Sequence, residues 1–444
     1  MCLRGKLALP SLSNSGHYTR LPARILIIGV SARAAAESAA RAGFDVVAVD
    51  EYSDLDQHPS VRSLSLPGDF GVGAGPRAAA RALRAVACDA VVYLSNLDNH
   101  PKAVALLAAG RQLWGNTPEV LQRVRDPRLL MDALGRRGFA VPASFVGSGS
   151  SRTVWNGPRY VGSGFSRTVW NGPPEGGPHE SIPEGGPHPR GEWLVKPLAS
   201  GGGRRVRSWD PAERVPRGCY VQELVEGTPG SVVFVAAGGQ AVPLGVSIQL
   251  VGEPAFGAAG YRYCGNILVA EGDAAFERDA ALVATAGALA RAVAAEFGLV
   301  GVNGVDFVAR DGVPYPVEVN PRWSASMELV ERGYGVPVFA VHAAACVSGA
   351  LPAFDVVNVR RSARAFGKAV VFARRDSVVG DTRAWLADST VRDVPHPGAR
   401  IAAGQPVCTV LAEGSDTTEC RAALVARAER IYRELAEYDK LVEC

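Results

Sequence analysis

No two of the eight cysteines form a CxxC pair: Cys2, Cys88, Cys219, Cys264, Cys346, Cys408, Cys420 and Cys444 are scattered without regular spacing. That pattern excludes a disulfide framework and a thiolate metal site, and it predicts a reduced, cytoplasmic protein whose thiols are buried or inert. Residues 1–23 lack the apolar stretch of a secretory signal and read as a disordered extension. Uninterrupted apolar runs of the roughly 20 residues needed to span a bilayer are also missing. The Ala-rich segment 280–302 is broken by Arg291 and Glu296, so no membrane association is expected. Nor is there an excess of one charge. Lys and Arg (47) nearly balance Asp and Glu (44), leaving a net charge of +3, which argues against nucleic-acid or membrane-surface binding. Any electrostatic function must be carried by local charge.

What is present is an ordinary globular composition, 47% apolar and 20% charged, over 444 residues. That is enough for a sizeable core and a few domains. The 50 glycines and 30 prolines are unevenly spread: 18 of them fall in the 46 residues from 146 to 191. There VGSGSSRTVWNGP (146–158) recurs as VGSGFSRTVWNGP (161–173), identical at 12 of 13 positions, and PEGGPH recurs nine residues on. Two polar copies do not make a solenoid, so the segment reads as a duplicated, mobile insertion without its own core.

Before the insertion, apolar strands at 24–29, 45–50 and 90–95 alternate with Ala-rich helical stretches at 32–41, 77–86 and 102–109. This is the pattern of a parallel sheet covered by helices, with ligands at the carboxyl ends of the strands. Asp50 ends the second strand where a ribose-binding acid would sit in a dinucleotide domain. The turn after the first strand nevertheless lacks GxGxxG, so dinucleotide binding is not favoured. Past 192, strands at 193–198, 220–224, 232–236, 242–249, 304–309 and 315–319 surround a helix at 274–297. Short strands fill 366–413, and a closing helix is expected at 418–442.

Chemistry concentrates in four places. Lys196 sits on an apolar strand just before the loop Ser200, Gly201, Gly202, Gly203, where backbone N–H groups and an ammonium can meet phosphate oxygens. The strand containing Gln222, Glu223, Leu224, Val225 and Glu226 offers a backbone edge for a base and carboxylates for its amino group or ribose. In GVNGVDFVARDGVPYPVEVNPRW, Glu318 and Asn320 are two apart on one strand and so share a face, and Asp306 is carried by the preceding strand of the hairpin. Two carboxylates and an amide oxygen are hard ligands suited to Mg²⁺, and Arg322 follows within reach of a phosphoryl group. Arg128, in RDPRLLMDALGRRGFAVP, is a second candidate phosphate contact. No Ser or Cys nucleophile constellation accompanies these residues.

Taken in order, RDP…L…G…VP, WLVKPLASGGG, YVQELVEG and VEVNPR resemble the ATP-grasp superfamily, in particular its carboxylate-amine ligase, carbamoyl-phosphate synthetase and biotin carboxylase-like branch. The resemblance runs over about 24–413. It implies a mixed α/β and α+β protein: an N-terminal βαβ, Rossmann-like domain (24–118), a two-lobed ATP-grasp domain (119–350) interrupted by the insertion (146–191), and a small, mostly β C-terminal domain (351–444) with a closing helix. It further implies ATP contacts from Arg128, Lys196, Ser200, the glycine lid Gly201, Gly202 and Gly203, and the hinge from Gln222 to Glu226. Asp306, Glu318 and Asn320 would bind Mg²⁺ or Mn²⁺, and Arg322 with Lys196 would act in phosphoryl transfer. The implied reaction activates a small-molecule carboxylate as an acyl phosphate, which an amine captures to form a C–N bond, and a homodimer is a candidate assembly.

Two departures accompany the resemblance. The acid expected seven residues after Glu223 is replaced by Gly230, with Glu226 as a substitute, and the lid continues with Arg204 and Arg205 in place of a further glycine. Alternative readings are a carboxylase-type enzyme that phosphorylates bicarbonate, for which no MKM-like biotin-attachment turn is present in the chain, and a nucleotide-binding protein without turnover.

Overall fold

The computed structural model describes residues 24–73, 75–148, 151–155, 181–182 and 192–442. The expected N-terminal extension and most of the duplicated insertion lie outside them. Strands β1 (Arg24–Ile28), β2 (Asp45–Asp50), β3 (Val61–Ser65), β4 (Ala90–Tyr93) and β5 (Gln112–Leu113) form a parallel sheet in the order β3-β2-β1-β4-β5. The apolar run of β1 is explained by burial on both faces. Ile25 and Ile27 join one core cluster while Leu26 and Ile28 join another. The half-buried edge strand β3 carries no such run, which is why its sequence did not announce it.

An antiparallel lobe follows, built from β6 (Ser144–Ser148), β7 (Ser151–Trp155), β8 (Ser181–Ile182), β9 (Trp193–Pro197), β10 (Arg207–Ser208) and β11 (Cys219–Glu223), in the order β10-β9-β11-β6-β7-β8. Its small core packs Phe145 between Trp193 and Trp209, with Val195 and Val221. Five residues of the first repeat copy form β7, paired with β6 from Ser144↔Trp155 to Ser148↔Ser151. An open sheet edge can recruit a β-favouring stretch through backbone hydrogen bonds alone.

The largest sheet contains β12 (Thr228–Ala237), β13 (Gln240–Val251), β14 (Tyr263–Leu268), β15 (Gly301–Arg310), β16 (Val313–Asn320), β17 (Ala365–Phe372), β19 (Val391–Arg392) and β21 (Pro406–Gly414). Its order is β16-β15-β12-β13-β14-β17-β21-β19, and β18 (Ser377–Val378) pairs separately with β20 (Arg400–Ile401). The strands beyond residue 351 thus extend the central sheet through β14 and β17. On one face the helix Asp279–Phe297 buries Leu282, Leu289 and Val293 against Val232, Phe234 and Ala236. This helix is long and apolar enough to cross a membrane by composition, but it is a packed core element here. On the opposite face the helices Ala325–Tyr334 and Val338–Ser348 meet Val233, Val235 and Ala237. The closing helix Thr417–Val442 packs on β17 and β21.

Charged side chains join the N-terminal region to the central sheet and its C-terminal extension. Arg33, fully buried in the first helix (Arg33–Arg41), meets Glu328 at 2.9 Å, Asp393 at 2.7 Å, Glu37 at 2.9 Å and Asp56 at 3.5 Å. Lys368 on β17 closes on the same Glu328 at 2.6 Å.

Candidate active site

A cleft of about 1120 Å³ lies where the parallel sheet, the small lobe and the central sheet meet. Single-ligand pockets run to roughly 1,000 Å³, so there is room for a nucleotide and a second molecule. Among the sequence-predicted residues, Lys196, Ser200, Gly201, Gly202, Gly203, Gln222, Glu223, Leu224, Val225, Glu226, Asp306, Glu318, Asn320 and Arg322 all line it.

The carboxylates come from the β15–β16 hairpin, where Asp306 and Glu318 are direct cross-strand partners and Gly304 faces Asn320. A β-bulge between Asp306 and Phe307 re-aims the strand beside the pair. Asn320 donates Nδ2–H to Asp306 Oδ2 at 2.9 Å, and its Oδ1 accepts from Arg322 Nη2 at 2.9 Å. Burial first, and then the Glu318 charge, raise Asp306 to about 6, while hydrogen bonds from Ser231, Gln249 and Asn320 oppose the shift. Two facing carboxylates with a neighbouring amide oxygen are the hard, partial donor set that a divalent cation completed by phosphate oxygens requires. The residues therefore fit Mg²⁺ or Mn²⁺.

Across the cleft, Lys196 on β9 donates to Gln222 Oε1 at 3.0 Å and lies 5.7 Å from the Tyr220 ring centroid. The Nε2 of Gln222 is buried without a partner, a donor aimed at nothing in the protein. Residues 224–227 carry the chain from the small lobe to β12 of the central sheet, the geometry of a hinge. The Glu223 carboxylate accepts from the Ala143 N–H at 3.0 Å, and the Leu224 N–H donates to Glu192 O at 2.9 Å. Gly230 has its α-carbon against the rings of Phe307 and Phe276 and is not part of the cleft wall; Pro229 is. Neither offers a carboxylate, which leaves Glu226 as the exposed acid at that end.

The glycine loop is seated on residues 261–263. At Gly203 a Cβ would lie 1.7 Å from Tyr261 O, and the Tyr263 N–H donates to Gly202 O at 3.1 Å. Arg205 adopts φ 63°, the left-handed conformation favoured by the glycine that the resemblance expects nearby.

Arg128 is the predicted residue the structure does not bring to the cleft. It is 67% exposed, paired with Asp126 at 2.8 Å, and lines a small recess that adjoins the cleft at Asp98, Asn99, Arg125 and Leu198. Arg125 occupies the cleft instead. Its guanidinium reaches Glu318 at 3.4 Å, Val319 O at 2.9 Å, Asn99 Oδ1 at 2.7 Å and Ser200 O at 2.9 Å. Asp50 also has a definite role. Its carboxylate accepts from the N–H groups of Ala32 (2.8 Å), Tyr52 (3.1 Å) and Ser53 (2.7 Å), filling the start of the first helix where a dinucleotide phosphate would sit. Lys368 is buried on Glu328 and does not line the cleft.

Residues 179–326 match the family model described as the ATP-grasp domain. An uncharacterized protein of Methanocaldococcus jannaschii is 24% identical over 147 residues, which are 33% of this chain and 33% of that protein, so the match spans a third of that relative's length. Among solved structures, L-amino acid ligase from Bacillus licheniformis superposes with TM-score 0.57 at 15% identity, over 93% of this chain and 97% of that one. Biotin carboxylase from Campylobacter jejuni gives 0.60 at 13%, over 91% and 90%. N5-carboxyaminoimidazole synthetase from Staphylococcus aureus gives 0.58 at 14%, over 92% and 97%. Identities this low speak for the fold.

Proposed function

We propose that this chain, whose residues 179–326 match the ATP-grasp domain, is an ATP-dependent ligase that activates a substrate carboxylate as an acyl phosphate and passes it to an amine. The observation that carries this reading is the convergence on one cleft of the Asp306–Glu318 pair, Arg322, Arg125 and Lys196 around the seated glycine loop. Phosphoryl transfer needs positioning and charge neutralisation more than a protein nucleophile, and these side chains supply both.

ATP lies with its base along residues 222–226 and its phosphates under Gly201 to Gly203, with Lys196 and Arg125 as counter-charges. Glu226 is the acid available to the ribose. Asp306, Glu318 and Asn320 would hold a divalent cation, which would supply positive charge to the phosphate oxygens. Arg322 faces the transferring group. A substrate carboxylate oxygen attacks the γ-phosphorus, the bond to the β,γ-bridging oxygen breaks, and ADP leaves. An amine then attacks the acyl carbon, phosphate departs, and the amine proton passes to solvent or phosphate. Both substrates are small molecules, and the free thiols of the six described cysteines suit a reducing cytoplasm.

Glu318→Ala is expected to abolish Mg²⁺-dependent ADP formation while leaving the thermal unfolding midpoint within a few degrees of wild type; undiminished turnover would overturn the assignment. ADP release measured with bicarbonate alone, and with a panel of carboxylates and amines, separates ligase from carboxylase chemistry.

A further inference from the structure

Asp98 lies just beyond the carboxyl end of β4, in the short turn Leu97–Asn99, and is 1% exposed. Both of its carboxylate oxygens are sealed from solvent and accept no hydrogen bond. A buried carboxylate in that condition is costly unless charge compensates it. Two guanidinium groups do so: Arg322 Nε at 3.0 Å from Oδ1 and Arg125 Nε at 4.0 Å from Oδ2. Arg322 is also held by Asn320 Oδ1 at 2.9 Å through Nη2 and by Trp323 O at 3.1 Å through Nη1, while its Nε meets Asp98 as an ion pair without a hydrogen bond. Without the Asp98 charge, Asp306 and Glu318 are the competing carboxylates on the same hairpin.

The neighbouring residue acts on the other half of the site. Asn99 donates Nδ2–H to Ser200 O at 3.2 Å, and its Oδ1 accepts from Arg125 Nη2 at 2.7 Å. Arg125 Nη2 also donates to Ser200 O at 2.9 Å. Two consecutive residues of the N-terminal region thus contact the phosphoryl-facing arginine and the base of the glycine loop.

We infer that Asp98 is a positioning residue for phosphoryl transfer: it orients the Arg322 guanidinium, while Asn99 beside it anchors the closed glycine loop. The N-terminal region then contributes to the transfer step. This rests on the ligase reading above.

The test is a double-mutant cycle of Asp98→Asn and Arg322→Lys, read as ADP formation with kcat and the KM for ATP measured separately. Asp98→Asn is expected to lower kcat roughly 10²-fold, the cost of a small misplacement at a reacting centre, with the KM for ATP changed by less than about twofold. The double variant is expected to be no slower than Arg322→Lys alone. Multiplicative losses, or an unchanged kcat in Asp98→Asn, overturn the inference. If Asp98→Asn does not fold, Asp98→Glu, which keeps the charge one methylene away, takes its place in the cycle with a smaller expected loss. Crystal structures of wild type and variant decide the matter without turnover. The inference expects Arg322 to leave Asn320 in the variant, and an unmoved guanidinium refutes it. Wild-type protein that forms no ADP with any acceptor refutes the ligase reading alone.

Discussion

Asp306 and Glu318 face each other across two strands, and the proton that burial and mutual repulsion favour on Asp306 would compete with a cation for the same oxygens. Because Asp306 is raised to about 6, it is ionised at neutral pH and takes up a proton as the pH falls through that value. The Mg²⁺ concentration for half-maximal ADP formation should therefore rise below about pH 6. Glu318→Gln removes the repelling charge and should move the inflection in Mg²⁺ binding to lower pH; an unmoved inflection would mean the two groups do not act as a pair. The hairpin residues were legible because strand alternation places Glu318 and Asn320 on one face with no reference to the rest of the chain. Arg125 was not. It and Arg128 lie three residues apart in the same basic stretch. Arg125 is the C-cap of the helix Pro118–Val124 and points inward, whereas Arg128 starts the helix Pro127–Arg136 facing solvent. Asp126, the N-cap between them, is the local sign of that break.

At the scale of elements, the glycine loop depends on contact more than on flexibility. Its chemistry, few side chains and abundant N–H groups, could be read from composition. Its seat on residues 261–263 could not. Gly203→Ala places a methyl where Tyr261 O already is and keeps φ at 70°. The loop should then remain open, raising the KM for ATP by on the order of 10-fold or more and speeding amide exchange at 200–205. The thermal midpoint should hardly change, because local opening of a loop leaves the cores intact. A KM equal to wild type would show that the loop does not close on nucleotide in this pose. The strands the sequence left unmarked, β3 and β14, have a common cause. One is a half-buried edge and the other begins in the tyrosine-rich turn at 261–263, so neither shows clean alternation.

Across the whole molecule, one buried guanidinium ties the first helix to the helix after the β15–β16 hairpin and to the C-terminal strands. Arg33→Met would leave Glu328 facing Lys368 and Arg332 but strip Asp393 and Asp56 of their main counter-charge. Breaking a buried pair from one side costs about 3–5 kcal/mol. Chemical denaturation should report a loss of that order, and a change below about 1 kcal/mol would show that the network is not buried in solution. The same view accounts for the C-terminal region, which reads as a separate unit in sequence yet shares its sheet with the central lobe through the Gly265↔Ala369 to Leu268↔Phe366 pairing.

Determined by the sequence itself were the features with a short period: the doubly buried β1, the alternation that aligns Glu318 with Asn320, the glycine loop and the order of these motifs. Each follows from backbone geometry over a few residues. Only the tertiary structure decided which arginine enters the cleft, that Asp98 stands behind Arg322, that Asp50 accepts from the backbone at the start of the first helix, and that Lys368 pairs with Glu328. Those outcomes depend on contacts between residues far apart in the chain, where charge and burial are set by neighbours that no local pattern names.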